Sequence, residues 1–383
     1  MEKHLLFIGQ KSIFVFMQLR RLLLTNYKNQ KAFELDFEAP INAFVGNNGV
    51  GKTNLLDAIY HLALGKSYFN PITTQNIHFG ADFFVLEGYF IKREQEEKII
   101  CSFKRGGKKV IKRNGKAYDK IAEHIGLIPL VIISPSDQDL IAAGSSVRRK
   151  FMDGIIGQTD ITYLNALLQY HRVVEQRNSL LKFFATNQQF DPAALEAYDQ
   201  QLLQLSSPLY ETRKRFMGAF TPVFEKRYKQ ISDAQESVEI HYQTQLDEKP
   251  LAELLQEALS RDRALQFSSV GLHKDDLELH LGKQPVKKFG SQGQQKSFLI
   301  ALKLAQFDYM QKQQGVPPIV LLDDIFDKLD QERVARIVHL LSAADFGQIF
   351  ISDTHAERTE KALQSSAMNY ELFSLGNPKN NIL

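Results

Sequence analysis

The feature that most constrains this chain is the stretch Gly46-Asn47-Asn48-Gly49-Val50-Gly51-Lys52-Thr53, which lies between an apolar run and a helical pattern. A glycine-rich turn between a strand and a helix points consecutive backbone N–H groups inward, and the helix dipole favours anions there. Lys52 adds a mobile positive charge, and Thr53 offers a hydroxyl to a magnesium ion. The sequence therefore predicts a binding site for nucleotide phosphates, whose residues are Gly46, Asn47, Asn48, Gly49, Val50, Gly51, Lys52, Thr53 and Asn54. Lys52 is also a predicted catalytic residue.

Composition indicates an ordinary globular protein of 383 residues, long enough for two or three structural units. With a net charge of +3, any nucleic-acid surface must be local, because the basic excess is small. The single cysteine, Cys101, excludes an intrachain disulfide and fits a reducing cytoplasm. No apolar run approaches the length of a membrane span. We therefore expect a cytoplasmic protein with no membrane segment.

Residues 1–16 contain a short apolar run, Ile13-Phe14-Val15-Phe16, which raises the question of a signal peptide. Gly9-Gln10-Lys11-Ser12 breaks the apolar centre and no small-residue cleavage site follows, which argues against that interpretation. Met17 begins a strand-like segment. We expect Met17 to be an alternative start and residues 1–16 to be a dispensable extension.

Strand and glycine signals alternate with helical patterns in residues 17–150, nearly vanish over residues 151–264, and return afterwards. Helical patterns cover residues 161–185, 193–229 and 251–264, the second of them with predicted interruptions at Pro208 and Pro222. The pattern predicts an α/β protein. One lobe comprises residues 17–150 and 265–383, and a helical insertion comprises residues 151–264.

The densest positive cluster lies on a predicted antiparallel hairpin and consists of Lys104, Arg105, Lys108, Lys109, Lys112 and Arg113. Clustered cations are typical of a surface that contacts DNA phosphates. They are equally typical of a solvated sheet edge whose lysines block aggregation. The sequence leaves both interpretations open.

Two further apolar runs end in polar side chains that suit phosphate chemistry. Residues 319–322 precede Asp323 and Asp324, a pattern typical of a buried parallel strand that delivers carboxylates at its C-terminal end. We predict that Asp323 holds magnesium together with Thr53, and that Asp324 polarises the water that attacks the γ-phosphate of ATP. His355 follows the last core strand and is predicted to touch that phosphate.

Ser291 and Gly293 open another long helix, which Ser291 is suited to cap. Gly293 lets a phosphate or another backbone approach closely. The stretch therefore predicts a second anion site that includes Ser291, Gly293 and Gln294.

Taken together, these motifs and Leu329-Asp330 resemble the P-loop ABC-type ATPase heads of SMC-like proteins. Three stretches resemble the RecF family of bacterial DNA replication and repair proteins more closely: Arg148-Arg149-Lys150-Phe151-Met152-Asp153, Gly271-Leu272-His273-Lys274-Asp275-Asp276-Leu277 and Gly293-Gln294-Gln295-Lys296-Ser297. The resemblance covers residue 17 to about residue 375. It implies a head with a mixed central sheet and an antiparallel sheet, plus a short helical insertion.

The resemblance also implies how the protein works. Two heads close around two ATP molecules, so that Ser291 and Gly293 of one copy reach the γ-phosphate bound by Lys52 of the other. Such an ATP-dependent homodimer acts on single-stranded or duplex DNA at gaps and stalled forks. Its partners are RecO and RecR, and its roles are recombinase loading and the SOS response.

Four positions depart from the family pattern or match it poorly. Asp324 stands where ABC-type ATPases usually have glutamate, so we expect slow hydrolysis that serves as a switch. Lys328 stands where an acidic residue is common, and Leu272 replaces a proline. Gln138 is a candidate magnesium-sensing glutamine, although its surroundings match the family poorly.

Two other functions compete with a weak DNA-dependent ATPase. A soluble ATPase subunit of another ABC-type system fits the phosphate motifs, but the basic hairpin and the long insertion argue against it. A nuclease related to overcoming-lysogenisation proteins would need a metal-dependent domain after Asp330, and too few residues follow.

Overall fold

The computed structural model describes residues 17–232, 236–324, 346–364 and 368–376. The predictions for residues 1–16, for Lys328 and for Leu329-Asp330 lie outside these ranges. No helix within the described residues is long and apolar enough to cross a bilayer.

The described residues form fourteen strands and nine α-helices. The strands are β1 (Met17–Tyr27), β2 (Gln30–Asp36), β3 (Ile41–Val45), β4 (Phe83–Lys92), β5 (Gln95–Lys104), β6 (Val110–Arg113), β7 (Lys116–Ala117), β8 (Leu130–Ile133), β9 (Val238–Gln243), β10 (Asp276–Leu281), β11 (Gln284–Pro285), β12 (Ile319–Asp323), β13 (Ile349–Asp353) and β14 (Tyr370–Ser374). The helices are α1 (Lys52–Leu64), α2 (Asp139–Ala142), α3 (Ser145–Thr159), α4 (Ile161–Asn187), α5 (Pro192–Ile231), α6 (Leu251–Leu265), α7 (Val286–Phe289), α8 (Gln292–Gln314) and α9 (Ala356–Gln364).

A parallel sheet with strand order β14-β3-β13-β12-β8 forms the centre of the molecule. Every residue of β3, β8, β12 and β13 is buried, as the continuous apolar runs predicted. Because the strands are parallel, the residues that follow β3, β12 and β13 emerge at one edge of the sheet. This edge carries the phosphate loop, Asp323 and Ser352.

The two faces of the central sheet bury two separate hydrophobic cores. Val320 and Leu322 face the core that includes α8 and the helical insertion, whereas Ile319 and Leu321 face the core that includes α1. This alternation follows from the two-residue period of a strand. The sheet is therefore a shared wall between the helical insertion and the nucleotide-binding lobe.

A second, antiparallel sheet with order β2-β1-β4-β5-β6-β7 covers the α1 side. Strands β6 and β7 are joined by Asn114 and Gly115, both with positive φ (49° and 84°), which is the tight hairpin predicted from the Asn-Gly pair. The predicted fold class is confirmed, with the parallel and antiparallel strands in separate sheets.

The prediction that Pro208 and Pro222 interrupt the long helix is wrong. Both prolines lie inside α5, which runs unbroken through 40 residues. A proline removes one backbone hydrogen bond and crowds the preceding turn, and Gly218, one turn before Pro222, has no side chain to crowd. The buried face of α5, which includes Leu209, Phe216 and Phe224, packs in the core shared with α8. Tertiary packing therefore outweighs the local cost of the prolines.

The helical insertion is joined to the rest of the chain through a small sheet. Strand β9 pairs with β10 in an antiparallel register, and β10 pairs with β11. This sheet crosses the predicted lobe boundary at residue 264, and the division into residues 151–264 and the rest stays a prediction.

A buried arginine holds three segments together at this junction. Arg213 of α5 is 1% exposed and lies 3.0 Å from a carboxylate oxygen of Asp153 and 2.7 Å from one of Asp275. It also donates to the carbonyl of Leu272 at 2.9 Å. Nearby, Arg148 forms a two-pronged ion pair with Asp276. Two of the family-like stretches therefore contribute the acidic partners that tie α3, α5 and the segment before β10 together.

Replacing Arg213 with alanine should lower the free energy of unfolding by about 3–5 kcal/mol, because it leaves two carboxylates without their buried counter-ion. Urea unfolding measures this. The exposed neighbour Arg215, which contacts only Thr212 among the printed hydrogen bonds, is the matched control, and Arg215→Ala should change stability by less than about 0.5 kcal/mol. Equal effects of the two substitutions would show that the buried cluster adds nothing.

Candidate functional site

The phosphate loop has the geometry that its sequence predicted. Lys52 is buried, and its ammonium group lies across the loop, donating to the carbonyls of Gly46 at 2.7 Å and Asn47 at 2.9 Å. Gly51 has a φ of 106°, and a Cβ there would lie 2.3 Å from Nε2 of Gln30. Only glycine fits this position, because both the backbone conformation and the neighbouring side chain exclude a larger residue.

The turn between β1 and β2 braces the loop from outside, which the sequence did not reveal. Asn29 donates to the carbonyl of Gly49 at 3.0 Å, and Gln30 donates to the carbonyl of Val50 at 3.1 Å. Asn54 in turn donates to Oδ1 of Asn29 at 2.7 Å. These amides hold loop carbonyls on the outer side. The only sequence signal was an Asn-Gln pair in a turn, which is too common to indicate a role.

Thr53 and Asp323 meet at the edge of the central sheet. The Thr53 hydroxyl donates to Oδ1 of Asp323 at 2.8 Å, across a sequence separation of 270 residues. Ser352 donates to the same oxygen at 2.7 Å. Hydroxyl and carboxylate oxygens are ligands that suit magnesium, so this donor set fits the predicted ion. Ser352 was quoted in the sequence motif but given no role there.

The surroundings of Asp323 disfavour its charged form. Burial raises the pKa of Asp323 above its ordinary value, and the hydrogen bonds from Ser352 and Thr53 only partly oppose this effect. A buried carboxylate with this preference gains most from a nearby cation, which replaces the lost solvation. The site therefore has a strong electrostatic demand for positive charge.

Asp324 lies beside this site in a strained conformation. Its φ is 50°, in the left-handed region that a side-chain-bearing residue adopts at a cost on the order of 1 kcal/mol. Its backbone N–H lies 3.2 Å from the carbonyl and 3.1 Å from the hydroxyl of Ser352. The strain places Asp324 on the wall of the concavity, as expected for a residue predicted to act on the attacking water.

The phosphate loop and both acids line one concavity of about 280 Å³. Its walls are formed by Asn48, Gly49, Gly51, Lys52, Thr53, Asn54, Pro135, Asp323, Asp324 and Ser352. The structure thus brings together the predicted residues from three separate parts of the chain.

Ser291, Gly293 and Gln294 do not lie on the walls of this concavity. Ser291 caps α8, because its hydroxyl accepts from the N–H of Gln294 at 3.2 Å while the Gln294 side chain accepts from the N–H of Ser291 at 2.7 Å. Gln294 also donates to Glu236 at 2.9 Å. The predicted helix cap is confirmed, and the predicted second anion site stays a prediction.

Gln138 and His355 are also absent from the concavity walls. Gln138 is exposed, and its amide donates to Oε1 of Gln295 at 2.9 Å. His355 is exposed at the residue before α9. Their predicted roles at the magnesium ion and the γ-phosphate therefore require a different partner arrangement from the one seen here.

A chain of buried polar contacts links α1 to α8. Asp57 of α1 accepts from the N–H of Tyr68 at 2.7 Å, and the Tyr68 hydroxyl donates to Asp137 at 2.8 Å. Asp137 pairs with the buried Lys303 of α8 at 2.7 Å. Burial alone would lower the pKa of Lys303, but Asp137 holds it above its ordinary value. The helix after the phosphate loop is therefore mechanically tied to the helix that Ser291 caps.

The basic hairpin divides into two groups. Lys104, Arg105, Lys108 and Lys112 are exposed. Lys109 is half-buried, and burial lowers its pKa. Arg113 donates to Glu97 at 2.8 Å, so its charge is already balanced within the sheet. Only the exposed group is well suited to contact a polyanion.

Comparison with known sequences gives consistent results. The chain matches the RecF/RecN/SMC N terminal domain family over residues 18–374. It is 56% identical over 359 residues to the DNA replication and repair protein RecF of Flavobacterium johnsoniae, covering 94% of this chain and 100% of that protein. The RecF protein of Phocaeicola vulgatus is 44% identical over 361 residues, covering 94% of this chain and 96% of that protein.

Solved structures agree with the sequence comparison. The recombination mediator protein RecF with ATPrS in the RecFOR pathway matches with a TM-score of 0.84 and 28% identity, covering 95% of this chain and 99% of that chain. An Smc head domain from Pyrococcus furiosus matches with a TM-score of 0.56 and 17% identity, covering 94% of each chain. The latter likeness shows the fold alone.

The variant Asp323→Asn should lose magnesium-dependent ATP binding without losing stability. A carboxyl whose folded-state pKa is raised stabilises the fold at low pH, and that contribution is lost as the pH rises through the raised pKa. Neutral asparagine still accepts both hydrogen bonds at Oδ1. The free energy of unfolding at pH 7 should therefore rise by roughly 1 kcal/mol per unit of pKa shift removed.

Urea unfolding at pH 7 and at pH 4, with calorimetric ATP binding in magnesium and in EDTA, measures both effects. The stability gain should shrink at pH 4. Asp119→Asn, an exposed loop position, is the control and should change neither quantity. A variant that binds ATP with undiminished magnesium dependence would contradict the assignment of Asp323.

Proposed function

Since the chain belongs to the RecF family of DNA replication and repair proteins, we propose that it is an ATP-controlled DNA-binding protein of recombinational repair. The observation that carries this proposal is the contact between Thr53 and Asp323 beside Lys52. It places a magnesium-type donor set next to a phosphate loop in a chain of this family. ATP and magnesium are the proposed cofactors. The proposed reaction is slow, DNA-dependent hydrolysis of ATP.

The machinery for hydrolysis has stated roles. Lys52 and the N–H groups of the loop bind the β- and γ-phosphates, and the neighbouring helix dipole adds to their attraction. Magnesium, when held by Thr53 and Asp323, neutralises charge that develops on the phosphates. Asp324 accepts a hydrogen bond from the attacking water. Aspartate is one methylene shorter than the usual glutamate, which supports a slow reaction that resets the protein.

The proposed homodimer completes the site. Ser291 and Gly293 lie at the N-terminus of a 23-residue helix, where backbone N–H groups and the helix dipole favour an anion. They are not part of the concavity that contains Lys52 of the same chain. A second copy that presents this helix end to the γ-phosphate would bind only when ATP is present. The polar chain from Asp57 to Lys303 supports communication between the two ends of each head.

The proposed partner is DNA at single-strand gaps or stalled forks, contacted in part by the exposed lysines of the basic hairpin. Assistance to recombinase loading, a part in the SOS response and contacts with RecO and RecR come from family membership and belong to the proposal. The cytoplasmic location inferred from the single cysteine belongs to it as well.

Asp324→Asn should trap the ATP-bound dimer on DNA, because asparagine does not activate the water while the phosphate contacts persist. Light scattering with ATP and a gapped duplex should report a dimer that outlasts the wild-type dimer at least about tenfold. Lys52→Ala is the control, since it should neither bind ATP nor dimerise. A variant that stays monomeric with ATP and DNA would contradict the switch.

Lys104→Ala, Lys108→Ala and Lys112→Ala in combination should weaken DNA binding and flatten its salt dependence. Each lost phosphate contact should reduce the slope of log affinity against log salt by about 0.9 for duplex DNA. Arg113→Ala is the matched control and should have less effect, because Arg113 pairs with Glu97. Filter binding over a salt series measures the slope. An unchanged slope in the triple variant would favour the interpretation as a solvated edge.

A further inference from the structure

A second, open concavity of about 780 Å³ lies on the other side of the β1–β2 turn from the phosphate loop. Its walls include Lys28, Asn29, His78, Phe79, Asp82 and Arg105. Phe79 is 97% exposed, more than any other large apolar side chain in the described residues. An aromatic ring presented in full to water beside polar side chains is unexpected in a surface that only faces solvent.

The position of Phe79 is fixed by its neighbours. The N–H of His78 donates to the carbonyl of Asn26 at 2.8 Å, and the His78 ring contacts the carbonyl of Lys28 through Nδ1 at 2.8 Å. The N–H of Lys28 donates to the carbonyl of Asn76 at 2.9 Å. The segment that carries Phe79 is therefore bonded along its length to the β1–β2 turn. The ring is exposed at a rigid position, which lowers the entropic cost of stacking on it.

The same turn contacts the phosphate loop. Asn29 belongs to the wall of this concavity, and its side chain donates to Gly49 and accepts from Asn54. Both Gly49 and Asn54 line the phosphate concavity. A single side chain thus separates the two concavities. In a phosphate loop the backbone N–H groups bind the α- and β-phosphates, so the ribose and base extend beyond the loop rather than into it.

We propose that this concavity binds the base of the nucleotide whose phosphates Lys52 holds, and that Phe79 stacks on that base. The inference rests on the proposed function and deepens it, because it adds the residues that recognise the nucleoside. The aromatic face supplies stacking, and the polar rim of His78 and Asp82 offers hydrogen-bonding groups to the edge of the base. Asn29 acts as a positioning residue that holds base site and phosphate site in a fixed relation.

The test compares ATP with inorganic tripolyphosphate, which has the phosphates and lacks the base. In Phe79→Ala the affinity for magnesium-ATP should fall about tenfold or more, as expected for the loss of one base–aromatic stack. The affinity for magnesium-tripolyphosphate should stay unchanged. Phe79→Trp should retain the affinity for ATP. Phe183→Ala, which removes a ring that is 54% exposed on α4, should change neither affinity.

Three results would overturn the inference. Equal losses of ATP and tripolyphosphate affinity would mean that Phe79 supports the loop rather than the base. Unchanged ATP affinity with weaker binding of single-stranded DNA would assign the ring to a DNA base. Unchanged binding of both would leave Phe79 without a base ligand.

The proposed function fails separately, because it requires the wild-type chain to bind ATP and DNA whatever Phe79 does. Thermal unfolding verifies that Phe79→Ala is folded, and replacement of so exposed a ring should leave the midpoint unchanged.

Discussion

The contact between the Thr53 hydroxyl and the Asp323 carboxylate, 2.8 Å long, is the interaction on which the rest of this structure depends. It exists because parallel strands present all their carboxyl ends at one edge of a sheet. Strand β3 delivers the phosphate loop to that edge, β12 delivers the two acids, and β13 delivers Ser352. The apolar composition of these strands is thus a requirement of the site as well as of the core, since burial on both faces fixes their register.

The site concentrates features that are unfavourable for stability. Asp323 is buried with a raised pKa, and Asp324 adopts a left-handed backbone conformation. Residues held in this way persist only when their surroundings determine them, and they gather where a ligand must be bound or a bond broken. The surroundings here are a rigid sheet and a network of side-chain amides around the phosphate loop. Magnesium and ATP would supply the charge that Asp323 lacks.

The helical insertion is tied to this site rather than appended to it. Its core continues onto one face of the central sheet, and Arg213 binds acidic side chains from two of the family-like stretches. The polar chain through Tyr68 and Asp137 reaches Lys303 in α8. A change at the phosphate loop therefore has a continuous path of directional contacts toward the helix that Ser291 caps. This arrangement suits a protein whose association is controlled by its nucleotide.

Much of the fold and part of the site followed from the sequence, for physical reasons. The phosphate loop, the buried strand before Asp323 and the Asn114-Gly115 hairpin have local signatures, because a few adjacent residues determine their conformations. The roles of Asn29, Ser352 and Lys303 had no such signature. Each depends on contacts across strands or helices that are distant in the chain. Pro208 and Pro222 were misinterpreted because packing of a long apolar face outweighed a local preference.

The measurement that tests the central claim most directly is a crystal structure of the chain with manganese and a slowly hydrolysed ATP analogue. Manganese replaces magnesium and gives an anomalous signal that locates the ion without assumptions. The account predicts one anomalous peak within coordination distance of Thr53 Oγ1 and in direct or water-mediated contact with Asp323, with the terminal phosphate at Lys52. A peak elsewhere, or a triphosphate that does not contact the phosphate loop, would contradict it.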